Sequence, residues 1–382
     1  MSAEPRREAS ASPLFDPLRV AGLSLRNRLA VAPMTRVSAS ADGLPSARMA
    51  EYYAAFAEGG FGLVISEGIY PDKAYAQGYE FQPGLADDAQ RDAWRPVVDG
   101  VHAHGGRMIA QLMHAGALSQ YNRYREQTRG PSAIRPVGKQ MVFYRGEGEY
   151  PIPVAMSDEE IAEAVRGFAE AAVRAREAGF DGVELHGANG YLLDQFLTEG
   201  VNLREDGYGG DLQRRLRLIV ETVTAVRAAV GADFPLGVRI SQGKVNDFTH
   251  KWSGGVDAAA VVFGTLGELA IDYLHTTEFE AWQPAFGSGP SLAALAKRHS
   301  GLPVFANGSL HVGDEAAGLL RRGEADLVTL GRGALTHADW PARLMRGLPR
   351  EEFNREVLSP LADLRNADRV MGMARGFEAA SV

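Results

Sequence analysis

Short apolar runs rich in Val, Ile and Leu alternate along the chain with longer amphipathic runs. This is the pattern of strands buried on both faces and of helices that cover them. Residues 28–33 predict a first strand ended by Pro33, and residues 46–58 a helix closed by Gly59-Gly60. A second strand follows over 61–66, a helix over 87–104 closed by Gly105-Gly106, and a third strand over 107–113. Residues 114–156 then break the pattern with prolines, glycines and aromatics and no clear period. A loop this long is functional or carries its own small structure, and residues 140–153 are expected to form a hairpin or cap beside the site. Ser157-Asp158-Glu159-Glu160 starts a helix with acidic first-turn residues, and Gly179 stops it. The fourth strand spans 183–185, the fifth 235–240, the sixth 271–274, the seventh 303–306 and the eighth 326–330. Helices are predicted over 212–230, 256–269, 290–299, 314–322 and 341–348, a polar irregular stretch over 241–254, and the tail after Ser359 has no assignable pattern.

Eight strands alternating with helices in 382 residues predict an α/β fold, a single (β/α)8 TIM barrel with a long excursion after strand 3. A doubly wound open sheet is the alternative. The expected division is a flexible stretch over 1–13 and one domain over 14–382.

Composition narrows the function. Hydrophobic residues make up 45% and charged residues 23%, the ordinary soluble mix. A net charge of -8 argues against nucleic acid or an anionic membrane as partner, since both reward a basic surface. Zero cysteines exclude disulfides, thiolate zinc sites, cysteine-held iron–sulfur clusters and Cys nucleophiles. No apolar run approaches the roughly 18 residues of a membrane span, and the polar start has no secretory pattern. A cytoplasmic protein is expected, and a monomer or a homodimer fits the sequence equally.

In a barrel the chemistry gathers at the carboxyl ends of the strands. Those ends hold Pro33-Met34-Thr35-Arg36, Ser66-Glu67-Gly68, Gln111 with His114, His186 with Asn189 and Tyr191, Arg239, Asn307-Gly308-Ser309 and Gly331-Arg332-Gly333. His and Asn can both donate to one oxygen, and a Tyr hydroxyl beside them can supply a proton. A polar turn with a capping Asn explains the same three residues. The seventh and eighth ends suit a phosphate, with glycine amides and Arg332 as donors, although a tight turn with a solvated Arg explains them too. Gln111 and Arg239 suit an isoalloxazine edge, and a sugar phosphate would satisfy them as well. His102 and His104 have poor metal spacing and read as surface residues, His114 as a packing residue, and Arg214-Arg215-x-Arg217 as a solvated helix face.

Longer motifs decide among these options. Arg26-Asn-Arg-Leu-Ala-Val-Ala-Pro-Met-Thr-Arg36, Gln111-Leu-Met-His-Ala-Gly116, His186-Gly-Ala-Asn-Gly-Tyr-Leu-Leu-Asp-Gln-Phe196, Asn202-Leu-Arg-Glu-Asp-Gly-Tyr-Gly-Gly210 and Leu330-Gly-Arg332 resemble the Old Yellow Enzyme family of FMN-dependent ene-reductases. The resemblance covers residues 14–348, in order and with family spacing. It implies non-covalent FMN across the barrel mouth, with Pro33, Met34 and Thr35 running past the ring and the Thr35 hydroxyl near O4. It also implies that Gly68 and Gln111 bond the ring and that Arg239 sits at its N1–O2 edge. Asn307, Gly308, Gly331 and Arg332 would hold the phosphate. His186 and Asn189 would bond a carbonyl or nitro oxygen of the substrate, hydride would pass from flavin N5 to its β-carbon, and Tyr191 would protonate the α-carbon. NADPH or NADH would reload the flavin in the same site.

The chain departs from the family pattern in places. Met113 stands near the substrate where many relatives have Trp, so a differently shaped pocket is expected. Asp211-Leu-Gln-Arg-Arg215 replaces the usual run after Tyr-Gly-Gly, and residues 242–252 are atypical, leaving the loop over the site undefined. Thr35, where one subgroup has Cys, points to the classical side. Two rivals stand beside the ene-reductase: a flavin-free barrel lyase or isomerase acting on a phosphorylated metabolite, and a flavin-binding sensor without turnover.

Overall fold

The computed structural model describes residues 12–311 and 314–371. Eight strands form a closed ring: β1 (Leu29–Val31), β2 (Leu63–Ile65), β3 (Arg107–Leu112), β4 (Gly182–Asn189), β5 (Leu236–Lys244), β6 (Tyr273–Thr277), β7 (Val304–Asn307) and β8 (Leu327–Leu330). Every barrel neighbour pairs in parallel. The last pairing, Val328 with Leu29 and Leu330 with Val31, closes the ring and removes the open-sheet alternative. A closed barrel leaves no strand edge, so the strands can be apolar on both faces.

The covering helices begin where side chains satisfy their free amides. Ser46 caps Ala47–Glu58, Asp87 caps Asp88–Ala103, and Ser157 with Glu160 makes a reciprocal cap on Asp158–Ala178. Asp211 caps Leu212–Val230, so the departure from the family run keeps a good helix start. Gly179 at φ 97° ends the third helix, a conformation that costs glycine little.

Four features were not visible in the apolar periodicity. An antiparallel hairpin, Leu18–Val20 with Leu23–Leu25, precedes β1. Its Val20, Leu23 and Leu25 pack on Ala30, Leu63, Ile109, Phe305 and Leu327, plugging the amino end of the barrel. Each such buried side chain contributes about 1.5–3 kcal/mol, enough to order a short hairpin. Strands β4 and β5 run on to Asn189 and Lys244, past the expected ends at 185 and 240, through a register shift between Gly187 and Asn189. The extension is polar, so a reading of apolar runs stops short of it. The tail forms a helix, Leu364–Val370, held to the first covering helix by paired Arg48–Asp368 hydrogen bonds. The expected flexible stretch 1–13 falls outside the described residues apart from Ser12 and Pro13, which begin a 3-10 turn over Pro13–Phe15.

The excursion after β3 contains a bridge between Lys139 and Glu149 and a 3-10 turn at Val142–Tyr144. The hairpin or cap expected over 140–153 is thus present as a hairpin-like turn closed between Lys139 and Glu149, and residues 150–153 follow without regular structure.

Candidate active site

A cavity of about 360 Å³ opens at the carboxyl end of the barrel. Its wall includes Pro33, Met34, Thr35, Gly68, Gln111, Met113, His186, Asn189, Tyr191, Arg239, Gly331 and Arg332. Twelve of the fourteen expected site residues thus meet at one mouth. Asn307 and Gly308 are not in the wall. The Asn307 side chain spends both ends inside the protein: its Oδ1 accepts from Arg239 at 3.1 Å and from Thr277 at 2.8 Å, and its Nδ2 donates to the Thr329 carbonyl at 3.0 Å. It orients Arg239. Gly308 sits where a Cβ would lie 2.3 Å from the Glu278 carbonyl oxygen.

The β4 end is fixed from beneath. Asn189 has φ 62°, which Asn tolerates better than most residues. Its amide donates to Ser241 Oγ at 2.8 Å, and its carbonyl accepts from Val245 N at 3.0 Å. At the next residue, Gly190 N donates to Asp194 Oδ2 at 2.6 Å. Asp194 is fully buried and takes Lys244 Nζ at 2.6 and 2.7 Å. A buried ion pair between β5 and the short helix Leu192–Leu197 therefore clamps the turn that presents His186, Asn189 and Tyr191.

Burial first, then the charge of Arg239, pushes the His186 imidazole well below 6.5. It is neutral at physiological pH and donates one N–H. Its Nδ1 is buried without a partner, as is Arg239 Nε. These unpaired buried nitrogens, on neighbouring strands where His186 and Arg239 are register partners, mark where an acceptor-rich ligand belongs. Burial lowers Arg239 to about 10, which still leaves it charged. Tyr191 is buried, and its hydroxyl lies 2.6 Å from that of Tyr79. Burial raises both phenols, Tyr79 well above its usual value, while the bond from Tyr79 works to lower Tyr191. Either hydroxyl can donate across this contact, and with Tyr79 as the donor the Tyr191 proton is left for the cavity. Tyr79 lies outside every strand and helix, and no sequence signal marks it.

Glu67 was also missed as a site residue. Its Oε2 accepts from Arg36 N at 2.9 Å and Val37 N at 3.2 Å, and its Oε1 from Tyr53 Oη at 3.2 Å. These bonds hold the strand-one exit, where Thr35 lines the mouth. Gly68 has a steric role: a Cβ there would come within 2.6 Å of Met113 Sδ, so the glycine lets Met113 lie over the strand-two exit. His114 accepts from Gly116 N at 3.1 Å, a local packing role as expected. His102 pairs with Asp181 at 2.7 Å, and no cluster of metal-ligating side chains occurs among the described residues.

The donor set fits FMN: Gln111 and charged Arg239 for a ring edge, Arg332 at the cavity rim for a phosphate, and orphaned nitrogens inside. Comparison with known proteins decides the matter. The profile of the NADH:flavin oxidoreductase / NADH oxidase family matches residues 13–351. The chain belongs to this family, the Old Yellow Enzymes. The 12-oxophytodienoate reductase 7 of Oryza sativa subsp. japonica is 36% identical over 349 residues, 86% of this chain and 86% of that protein. A probable flavin mononucleotide-dependent alkene reductase of Leishmania infantum is 35% identical over 343 residues, 88% of this chain and 91% of that protein. The solved structure of the Old Yellow Enzyme homologue of Zymomonas mobilis superposes with a TM-score of 0.83 at 31% identity, covering 93% of this chain and 98% of that one. Membership in an FMN oxidoreductase family removes the flavin-free lyase from consideration. It also shows the (β/α)8 barrel as an Old Yellow Enzyme barrel. No helix among the described residues is long and apolar enough to cross a membrane.

Proposed function

We propose that this Old Yellow Enzyme reduces the activated C=C bond of α,β-unsaturated carbonyl compounds, with nitroalkenes as a second acceptor class and NADPH or NADH as cosubstrate. The carrying observation is the set His186, Asn189 and Tyr191 on one cavity wall, with a neutral buried imidazole and a buried phenol hydrogen-bonded to a second phenol. Bound FMN supplies the hydride. His186 and Asn189 donate to the carbonyl oxygen, draw electron density from the β-carbon and stabilise the developing enolate. Tyr191 gives its proton to the α-carbon, and Tyr79 donates to the Tyr191 oxygen as charge builds there. Gln111 and Arg239 hold the ring edge, Pro33, Met34 and Thr35 flank it, and Gly331 and Arg332 hold the phosphate end. Met141, Phe143, Tyr144 and Phe248 give the cavity an apolar surface above the substrate.

The test uses protein loaded with FMN, a cyclic enone and each nicotinamide in turn. Steady nicotinamide oxidation with formation of the saturated ketone is expected. A yellow protein that oxidises neither nicotinamide in the presence of the enone would establish the sensor alternative.

A further inference from the structure

Beneath the cavity floor lies a polar network that the reaction outlined above does not use. Glu184 on β4 is fully buried inside the barrel, as are Tyr273 and His275 on β6 and Thr329 on β8. Gln111 Nε2 donates to Glu184 Oε1 at 2.8 Å. Glu184 Oε2 lies 2.9 Å from His275 Nδ1 and accepts from Tyr273 Oη at 3.2 Å. His275 Nε2 lies 3.0 Å from Thr329 Oγ1.

Proton positions follow from who can accept. A carboxylate has no proton to give. Gln111 must therefore turn its nitrogen to Glu184, leaving its carbonyl oxygen and second amide hydrogen for the mouth. His275 must carry its proton on Nδ1, so its Nε2 accepts from the Thr329 hydroxyl. Burial works against the Glu184 charge, but His275, Arg239 and Gln111 outweigh it, and its carboxyl stays below the usual range. Burial likewise keeps His275 below 6.5 and neutral. The barrel interior thus holds one full negative charge, on Glu184, facing one full positive charge, on Arg239.

We propose that Glu184 is a positioning residue for the cofactor: its buried carboxylate sets the orientation of Gln111 and offsets Arg239, keeping the reduced flavin a strong hydride donor. The proposal rests on the FMN assignment of the mouth. An unopposed Arg239 would favour the negatively charged reduced ring and make it a poorer donor. A buried charge acts over several ångströms there because little water screens it.

Glu184→Gln tests this, since it removes the charge and keeps the shape. The new carbonyl still accepts from Gln111. The new amide donates to His275 Nδ1 after a tautomer exchange, and His275 then donates to Thr329. FMN-loaded Glu184→Gln, equilibrated against a reference dye, should shift at least tenfold toward the reduced form, about 30 mV for a two-electron couple. Its reduction by NADPH or NADH should quicken and its oxidation by enone should slow. A reduction equilibrium within twofold of wild type, with FMN bound, would overturn the proposal. If that variant does not fold, His275→Leu serves: it removes the donor that keeps Glu184 ionised, so the shift should have the same sign, and an unmoved equilibrium again refutes the role. Wild-type protein that takes up no FMN would instead refute the assignment of the mouth, a separate outcome.

Discussion

The floor and the roof of this site are built on opposite principles. The floor is polar, dry and held by buried titratable side chains: Lys244 with Asp194 under the β4 turn, Glu67 under the strand-one exit, Glu184 under Gln111. The roof is apolar and wet. Phe248 is 83% exposed, Val142 71%, and Phe143 sits at the rim of the cavity. Chemistry needs donors placed to within a fraction of an ångström, and strand ends supply that. Substrate capture needs greasy surface that can adapt, and loops supply it.

The floor should therefore break hard and the roof softly. Asp194→Ala would strand Lys244, so a loss of about 3–5 kcal/mol is expected in chemical denaturation. Asp194→Leu with Lys244→Met should recover much of it. A single-variant loss under about 1 kcal/mol would mean the clamp is not what holds the turn.

Tyr191→Phe should slow oxidation of reduced enzyme by an enone about 100-fold or more while reduction by NADPH or NADH stays near normal. Rapid mixing of each half-reaction checks this, and equal losses in both would remove Tyr191 as proton donor.

Glu67 carries a pH signature. Burial raises its carboxyl from 4.5 to about 7, against the pull of its bonds from Arg36, Tyr53 and Val37. The folded state then holds a proton that the unfolded chain releases near 4.5. The stability Glu67 contributes is complete below that pH and is lost as pH rises through about 7. Glu67→Gln should flatten this part of the stability–pH curve, and an unchanged slope would assign it to another group.

The smallest effect belongs to the roof. Phe248→Ala should change stability by no more than about 0.5 kcal/mol, raising KM for bulky enones and leaving kcat for small ones nearly unchanged. A large loss of kcat with small enones would make the roof part of the catalytic frame and collapse the distinction.

Much of the floor was legible because strand ends announce themselves. Apolar runs place the eight strands, and the residue types at their ends name His186, Asn189, Tyr191, Gln111 and Arg239. Those ends alone left a sugar phosphate open beside a flavin, and the longer family motifs carried the choice. The Asn202–Gly210 motif, the most specific of them, turns out to hold a loop: Asn202 donates to the Phe196 and Tyr208 carbonyls, and Arg204 pairs with Asp206. Tyr79 was not legible, since its meaning is a contact with a residue 112 positions away. The pairing of Lys244 with Asp194, across 50 positions, was hidden in the same way.

Sequence alone determined the strand–helix alternation, the barrel, the family and the chemistry carried at each strand end, because these follow from local periodicity and residue type. Tertiary structure decided which groups are driven toward the charged form, which toward the neutral form, and which partners each one meets. Burial and distant partners set those states, and neither is a property of any one stretch of chain. His186 is neutral because it is buried beside Arg239, and the Asn307 side chain supports that arginine because the barrel closed around it.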